Sequence, residues 1–291
     1  MSHRWWRGVR VVAWVLVAVP LLCAVAGPWL ASSAPVDSQV PFGPSTWSPF
    51  GTDRLGRDVL AAALQGGLPL VATVIGTVVA AYAVGSVFGV AAAATTRGWA
   101  EDLVMRPLDV LLCVPSLLVV LVVALRADGS RPLIAAAVAA TMIAPIARFV
   151  RMATRSVVQS LAMETLRLQG VGATERYLGY ARRRVAGPLA ADIGVRLIAA
   201  LYVLSSANFL GIGFDQTSPD WAVAVAANKD GLFIAPWSVF LPAALIVSLA
   251  LGVNLLLDER SAVRRRLALG GAPDAEPTQP GGSHSIGGRD R

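Results

Sequence analysis

Long apolar stretches dominate the pattern of this chain, and alternating or striped segments are rare. Val9–Leu30, Leu68–Ala94 and Leu232–Leu257 are three such runs, interrupted only by Arg10 in the first. A hydrocarbon core of roughly 30 Å takes about 20 apolar residues of helix, so each run is long enough to cross it. Shorter or interrupted candidates lie at Leu108–Leu125, Pro132–Ala147 and Leu189–Ile212. Asp192 and Arg196 fall inside the last of these and place the start of its apolar run near Leu197. The pattern predicts an all-α, polytopic membrane protein with about six transmembrane helices. Arg4, Arg7 and Arg10 stand at the start of the first run, as in a signal peptide. The run exceeds the 7–15 residues of a signal core, which favours an uncleaved first helix.

The polar stretches between the runs carry their own signals. Ala31–Gly67 is rich in Pro, Ser and Gly. Its front half reads as irregular loop, and Asp53–Gln65 as a short amphipathic helix on the membrane surface. Arg148–Gln169 has good helix formers and extends the fourth helix into water. Gly170 and Gly172 then break it. Thr174 is placed to cap a second short helix, with Glu175 in the first turn favoured by the helix dipole. The Gly/Pro/Ser-rich end reads as disordered. The chain thus divides into a cytoplasmic N-terminus with the first helix (1–31), an extracytoplasmic segment (32–67), a core (68–258) with a cytoplasmic loop at about 148–188, and a cytoplasmic tail (259–291).

Composition agrees with this reading and charge orients it. Hydrophobic residues make up 55% of the 291 residues and charged ones 15%, against about 25% charged in a soluble domain. Of the 25 basic residues, only Arg54, Arg57, Arg126, Arg131 and Lys229 fall on one side in the six-helix topology. The positive-inside rule puts the other side, with both termini, in the cytoplasm. Orientation accounts for the arginines without a nucleic-acid partner. Arg182, Arg183 and Arg184 read the same way, as topology and lipid-phosphate residues. Trp29, Trp221 and Trp237 fit an outer aromatic belt.

Catalytic and metal chemistry find little support. Lys229 is the one lysine, and Asp230 follows it, so no P-loop of the form G-x-x-x-x-G-K-[ST] exists. There is no G-x-S-x-G, H-E-x-x-H or C-x-x-C element. Cys23 and Cys113 read as small buried residues within helices, and His3 and His284 lie in the tails. No catalytic residue, cofactor site or metal site is expected. ATP hydrolysis, if used, belongs to another chain.

Four segments in order resemble the permease subunits of the dipeptide/oligopeptide/nickel branch of bacterial ABC importers. They are FGTDRLGRDVLAAALQGG (Phe50–Gly67), RPLDVLLCVPSLLVVLVV (Arg106–Val123), IARFVRMATRSV (Ile146–Val157), and SSANFLGIGFDQTSPDWA (Ser205–Ala222) with APWSVFLPAALIVSLALGVNLLLDE (Ala235–Glu259). The resemblance implies a type I importer permease in the cell inner membrane. It implies pairing with a second homologous permease, two ATP-binding subunits and an extracytoplasmic solute-binding protein. It also implies translocation of peptides by alternating access. A nickel or metal-chelate importer of the same family is the alternative. So is a non-transporting scaffold, because the family's E-A-A-x-x-x-G element is altered. Leu166, Arg167 and Leu168 stand where E-A-A belongs, Glu164 comes two residues early, and Pro188 comes late.

The candidate coupling residues are Glu164, Gly170, Gly172, Ala173, Thr174 and Glu175. Candidates for the translocation path or gate are Asn208, Phe209, Gly211 and Gly213, where the glycines also suit a helix end. Gly51–Val59 has two readings. Pairs among Asp53, Arg54, Arg57 and Asp58 simply fix a loop, or the segment is a structured outer cap that meets the binding protein. Asp109 is expected to pair with Arg106, and Asn208 and Asn254 to bond neighbouring helices.

Overall fold

The computed structural model describes residues 3–31, 40–45, 47, 49–95, 98–210, 215 and 217–269, with backbone alone for 3–7, 100, 178 and 258–269. The elements in order are α1 (His3–Leu30), α2 (Val59–Ala94), α3 (Gly98–Leu112), α4 (Ser116–Ala124), α5 (Arg131–Val158), α6 (Leu161–Leu168), a π-helical turn (Glu175–Ala181), α7 (Arg182–Phe209), α8 (Trp221–Asn228) and α9 (Trp237–Leu269). Five stretches are long and apolar enough to cross a membrane: Gly8–Leu30, Val59–Ala94, Arg131–Val158, Glu175–Phe209 and Trp237–Leu257. The bent pair α3–α4 makes a sixth if it counts as one crossing. Apolar side chains inside a bilayer gain little by meeting each other, so close packing must hold these helices together. The central pair, α2 and α5, is built that way. Ala81, Gly85 and Gly89 repeat every four residues along α2 and are buried. A Cβ on Gly85 would lie 2.8 Å from Ile146 Cγ2, and one on Gly89 would lie 2.7 Å from the Ala147 carbonyl oxygen. α1 leans on α2 and α9, where Gly252 meets Val17 and Gly27 meets the Leu64 backbone.

Several boundaries differ from the sequence expectation, each for an identifiable reason. α2 starts at Val59, and the surface helix expected over Asp53–Gln65 does not form. Residues 53–58 are loop and turn, and the Asp58 carboxylate accepts the Ala61 amide at 2.9 Å and starts the helix there. The Leu108–Leu125 candidate is broken: α3 and α4 meet at a 76° bend. Pro115 has no N–H to continue the ladder and biases Val114 away from helix. The fourth helix stops at Val158 instead of reaching Gln169, because Ser160 caps a separate helix α6.

α7 is helical from Arg182, well before Leu197, and carries Asp192 and Arg196 inside it. They are one helical turn apart and pair with each other, the Arg196 guanidinium lying 3.1 Å from Asp192 Oδ1. The Tyr82 hydroxyl of α2 donates to the other Asp192 oxygen. The expected Arg106–Asp109 pair is also replaced. Arg106 meets Asp102 at 2.7 Å, while Asp109 meets Arg148 of α5 at 2.7 Å. Glu101 further ties α3 to α5 through Arg151 and through Arg155, the latter at 2.8 Å. Trp221 is fully buried and so does not join a belt, whereas Trp29 and Trp237 are exposed. Of the cysteines, Cys23 is half-buried and Cys113 exposed. Asn254 is exposed on α9. The disorder expected for the tail beyond Leu269 lies outside the described residues.

Candidate functional site

At one end of the bundle, residues 159–181 form a protruding loop. The Ser160 hydroxyl accepts the Met163 amide at 3.4 Å, and Met163 is the one buried residue of α6. Leu161 and Leu168 are 82% and 83% exposed. Gly170 ends the helix at φ +75°. Its amide donates to the Arg167 carbonyl, and the Val171 amide to the Leu166 carbonyl, both at 3.1 Å. This is a Schellman stop, which needs a left-handed residue at Gly170's position, and Leu166 and Val171 line one groove beside it.

Two sequence expectations are corrected here. The left-handed turn rests on Gly170 alone, because Gly172 has no positive φ. Thr174 is already right-handed helical at φ −57°, ψ −45°, and its side chain caps nothing. The backbone therefore runs on through the π turn into α7, and no separate capped helix forms. Glu164, Gly170, Gly172, Ala173, Thr174 and Glu175 are all exposed on this loop. Arg184 stacks on the Tyr180 ring at 5.5 Å.

The opposite end carries a packed cap. Asp53 accepts the amides of Leu55 and Arg57 at 2.8 and 2.9 Å, and its other oxygen meets the Arg57 guanidinium at 2.8 Å. The same guanidinium donates to the Thr217 carbonyl at 2.9 Å. The Arg54 amide donates to Asn228 Oδ1 at 2.9 Å. Trp221 Nε1 donates to the Ala63 carbonyl at 2.5 Å. The GTDRLGRDV and TSPDWA segments, about 160 residues apart, are thereby docked together. Of the two readings of Gly51–Val59, the internal pairing is present, and it builds a cap at the same time.

Asp220 caps α8 through the Ala222 amide at 3.0 Å. It is fully buried, and its other carboxylate oxygen has no hydrogen-bond partner among the described residues. Burial pushes its pKa up to about 6, against the pull of the Ala222 amide and of Arg131. Arg131 itself donates to the Ser218 hydroxyl. Sequence reasoning gave Asp220, Asn228 and Arg131 no role in the cap. An Asp before an apolar helix is a legible cap signal for the first, while the other two needed the tertiary contacts.

Between the two ends, Tyr202, Ser205, Ser206 and Phe209 of α7 line a groove of about 360 Å³ with Val225 of α8 and Val247 of α9. Phe209 is half-exposed there, whereas Asn208 is buried inside the bundle. The structure separates these two adjacent candidates, since consecutive helical residues point about 100° apart. Gly211 and Gly213 lie outside the described residues.

Residues 85–259 match the family described as binding-protein-dependent transport system inner membrane component. The chain belongs to that family. The peptide transport system permease protein SapC of Salmonella typhimurium is 33% identical over 264 residues, 86% of each chain. The probable D,D-dipeptide transport system permease protein DdpC of Escherichia coli is 28% identical over 258 residues, 86% of this chain and 85% of the relative. The glutathione transport system permease protein GsiD of Escherichia coli is 29% identical over 269 residues, 88% of this chain and 87% of the relative. This inner membrane component is a multi-pass membrane protein. Its matched segment holds the protruding loop, the α7 groove and the second half of the cap, while α1 and the first half of the cap precede it.

Proposed function

We propose that this chain is one membrane-spanning half of an ATP-driven importer that carries peptides across the cytoplasmic membrane. A second, homologous permease completes the path. Two ATP-binding subunits dock below, and an extracytoplasmic solute-binding protein delivers the peptide from outside. The relatives are named for peptides, D,D-dipeptides and glutathione, all oligomers of amino acids, and this supports the substrate class. Both termini and the 159–181 loop face the cytoplasm in this reading, as the arginine distribution favours.

The observation that carries the proposal is the form of that loop. A short helix turns Leu161 and Leu168 outward and ends at a glycine stop, after which the backbone runs through the π turn into α7. Two exposed leucines on so small an element suit a groove on another protein. Because the loop and α7 are one connected backbone, movement of the docked ATPases reaches the α7 groove directly. Phe209 and the neighbouring α7 side chains then line the path, and Glu164, Gly170, Gly172, Ala173, Thr174 and Glu175 form the contact region. ATP binding biases an equilibrium between inward- and outward-open states. The ATP is hydrolysed on the partner subunits.

The test is uptake of labelled di- to pentapeptides into proteoliposomes holding this chain with the products of its neighbouring genes. ATP-dependent accumulation that requires both this chain and the binding protein is the expected result. Equal uptake without this chain, or ATPase activity that peptide and binding protein never stimulate, refutes it.

A further inference from the structure

The turn that joins α8 to α9 presents Phe233 and Ile234, 97% and 71% exposed. No other large apolar side chain among the described residues is as bare as Phe233. The turn is nonetheless firmly seated. On its protein side Gly231 lies against Phe42 of the cap so closely that a Cβ would sit 2.2 Å from the Phe42 ring. Its backbone closes on itself. The Ile234 and Ala235 amides donate to the Gly231 carbonyl at 3.0 and 2.8 Å, and the Ser238 hydroxyl donates to the Ala235 carbonyl at 2.7 Å. Each such bond leaves one backbone group fewer in need of water, which suits a water-poor environment.

The depth of the turn follows from the helix it feeds. The Trp237–Leu257 span has 21 residues, which at 1.5 Å per residue is about 30 Å, the thickness of one hydrocarbon core. Trp237 therefore stands at the outer boundary of that core. Two neighbours mark the same level. Phe50 packs edge-on to Trp237 at 5.5 Å, and Trp29, 75% exposed, ends α1, which packs along α9. Phe233 and Ile234 precede Trp237 by four and three residues, so they lie in the headgroup zone or just below it. Phe and other large apolar side chains of surface-lying segments bury themselves at the boundary of headgroups and acyl chains, and Lys229, exposed one turn earlier, is long enough to extend toward lipid phosphates.

We propose that the Leu232–Pro236 turn is an interfacial anchor whose Phe233 and Ile234 side chains enter the outer leaflet among phospholipid headgroups and upper acyl chains. Its seat on Phe42 makes it a depth stop for the cap as well as for α9. The proposal takes its inside–outside orientation from the function proposed above and is independent of the transported solute.

A nitroxide label tests it, placed by Phe233→Cys or Ile234→Cys in a Cys23→Ala, Cys113→Ala background. The full chain is co-expressed with its partner permease and measured in membrane vesicles. Power saturation with oxygen and with a water-soluble nickel chelate reads the environment, with Asp230→Cys as the aqueous reference and Phe240→Cys as the acyl-chain reference. The expected result at both test positions is oxygen collision near that of the Phe240 label, with loss of the nickel-chelate effect seen at position 230. Three results overturn the proposal: nickel-chelate collision equal to the aqueous reference, an immobile label reached by neither reagent, or a signal that changes when the purified solute-binding protein is added.

Discussion

Gly66 is where α2 meets the cap, and replacing it by alanine should undock the TSPDWA segment. The new Cβ would sit 1.9 Å from the Pro219 carbonyl oxygen and 2.9 Å from Trp221 Cδ1. Reaching ordinary contact near 3.4 Å requires the Pro219 backbone to retreat by about 1.5 Å. A backbone oxygen one residue before the Asp220 cap cannot swing aside like a side-chain tip. The retreat stretches the 2.5 Å bond from Trp221 to the Ala63 carbonyl and the 2.9 Å bond from Arg57 to the Thr217 carbonyl. Overpacking of this kind costs about 1–3 kcal/mol, and a lost buried hydrogen bond about 1 kcal/mol more. Better helix propensity returns up to about 1 kcal/mol. The net effect should be a loss of about 1–3 kcal/mol, concentrated in the cap. Gly76→Ala is the control, since nothing lies within 4 Å of a Cβ there. Hydrogen exchange over residues 217–228 and thermal unfolding of the purified chain read the effect. Gly66→Ala should lose amide protection there and melt lower, while Gly76→Ala should do neither. If the two variants exchange and melt alike, the cap is not held by this contact.

In the cytoplasmic loop, Gly170→Val forces a β-branched residue to φ +75°, at a strain of about 1–3 kcal/mol. It should reduce peptide-stimulated ATP hydrolysis of the assembled transporter, whereas Gly172→Val, with open space around it, should not. Asp220 predicts a pH dependence. Its carboxyl rises from 3.8 to about 6 on folding, so the folded state holds the proton more tightly. Stability should therefore fall as pH rises from about 4 to 6 and level off above, by about 3 kcal/mol at most. Asp220→Asn keeps the cap acceptor, and thermal unfolding across that range should lose this slope. Asp192→Ala leaves Arg196 without its carboxylate inside the bundle and should cost about 3–5 kcal/mol. Asp192→Ala with Arg196→Met should recover much of that loss in unfolding assays, and no recovery would mean that the pair is not the reason.

The sequence by itself determined the class of molecule and most of its membrane-crossing helices. Apolar runs long enough for a bilayer can only be buried in lipid or in each other, so α1, α2 and α9 were legible from length alone. The stop at Gly170 was legible too, because a break in a helical pattern is a local property, whereas Gly172 and Thr174 did not take the roles expected of them. What the sequence did not reveal was decided between elements. Asp192 and Arg196 looked like a reason to start the apolar run only near Leu197, yet a charge can lie within a span when its partners stand one turn away and on the facing helix, as Arg196 and Tyr82 do. Trp221 looked like a belt residue, since tryptophan suits a membrane boundary. Only the approach of Ala63, with Gly66 and Gly67 leaving room for the ring, turned it inward. Local rules assign helix and loop from neighbours in the chain. Burial and pairing depend on residues as far apart as Arg57 and Thr217, and packing alone brings those together.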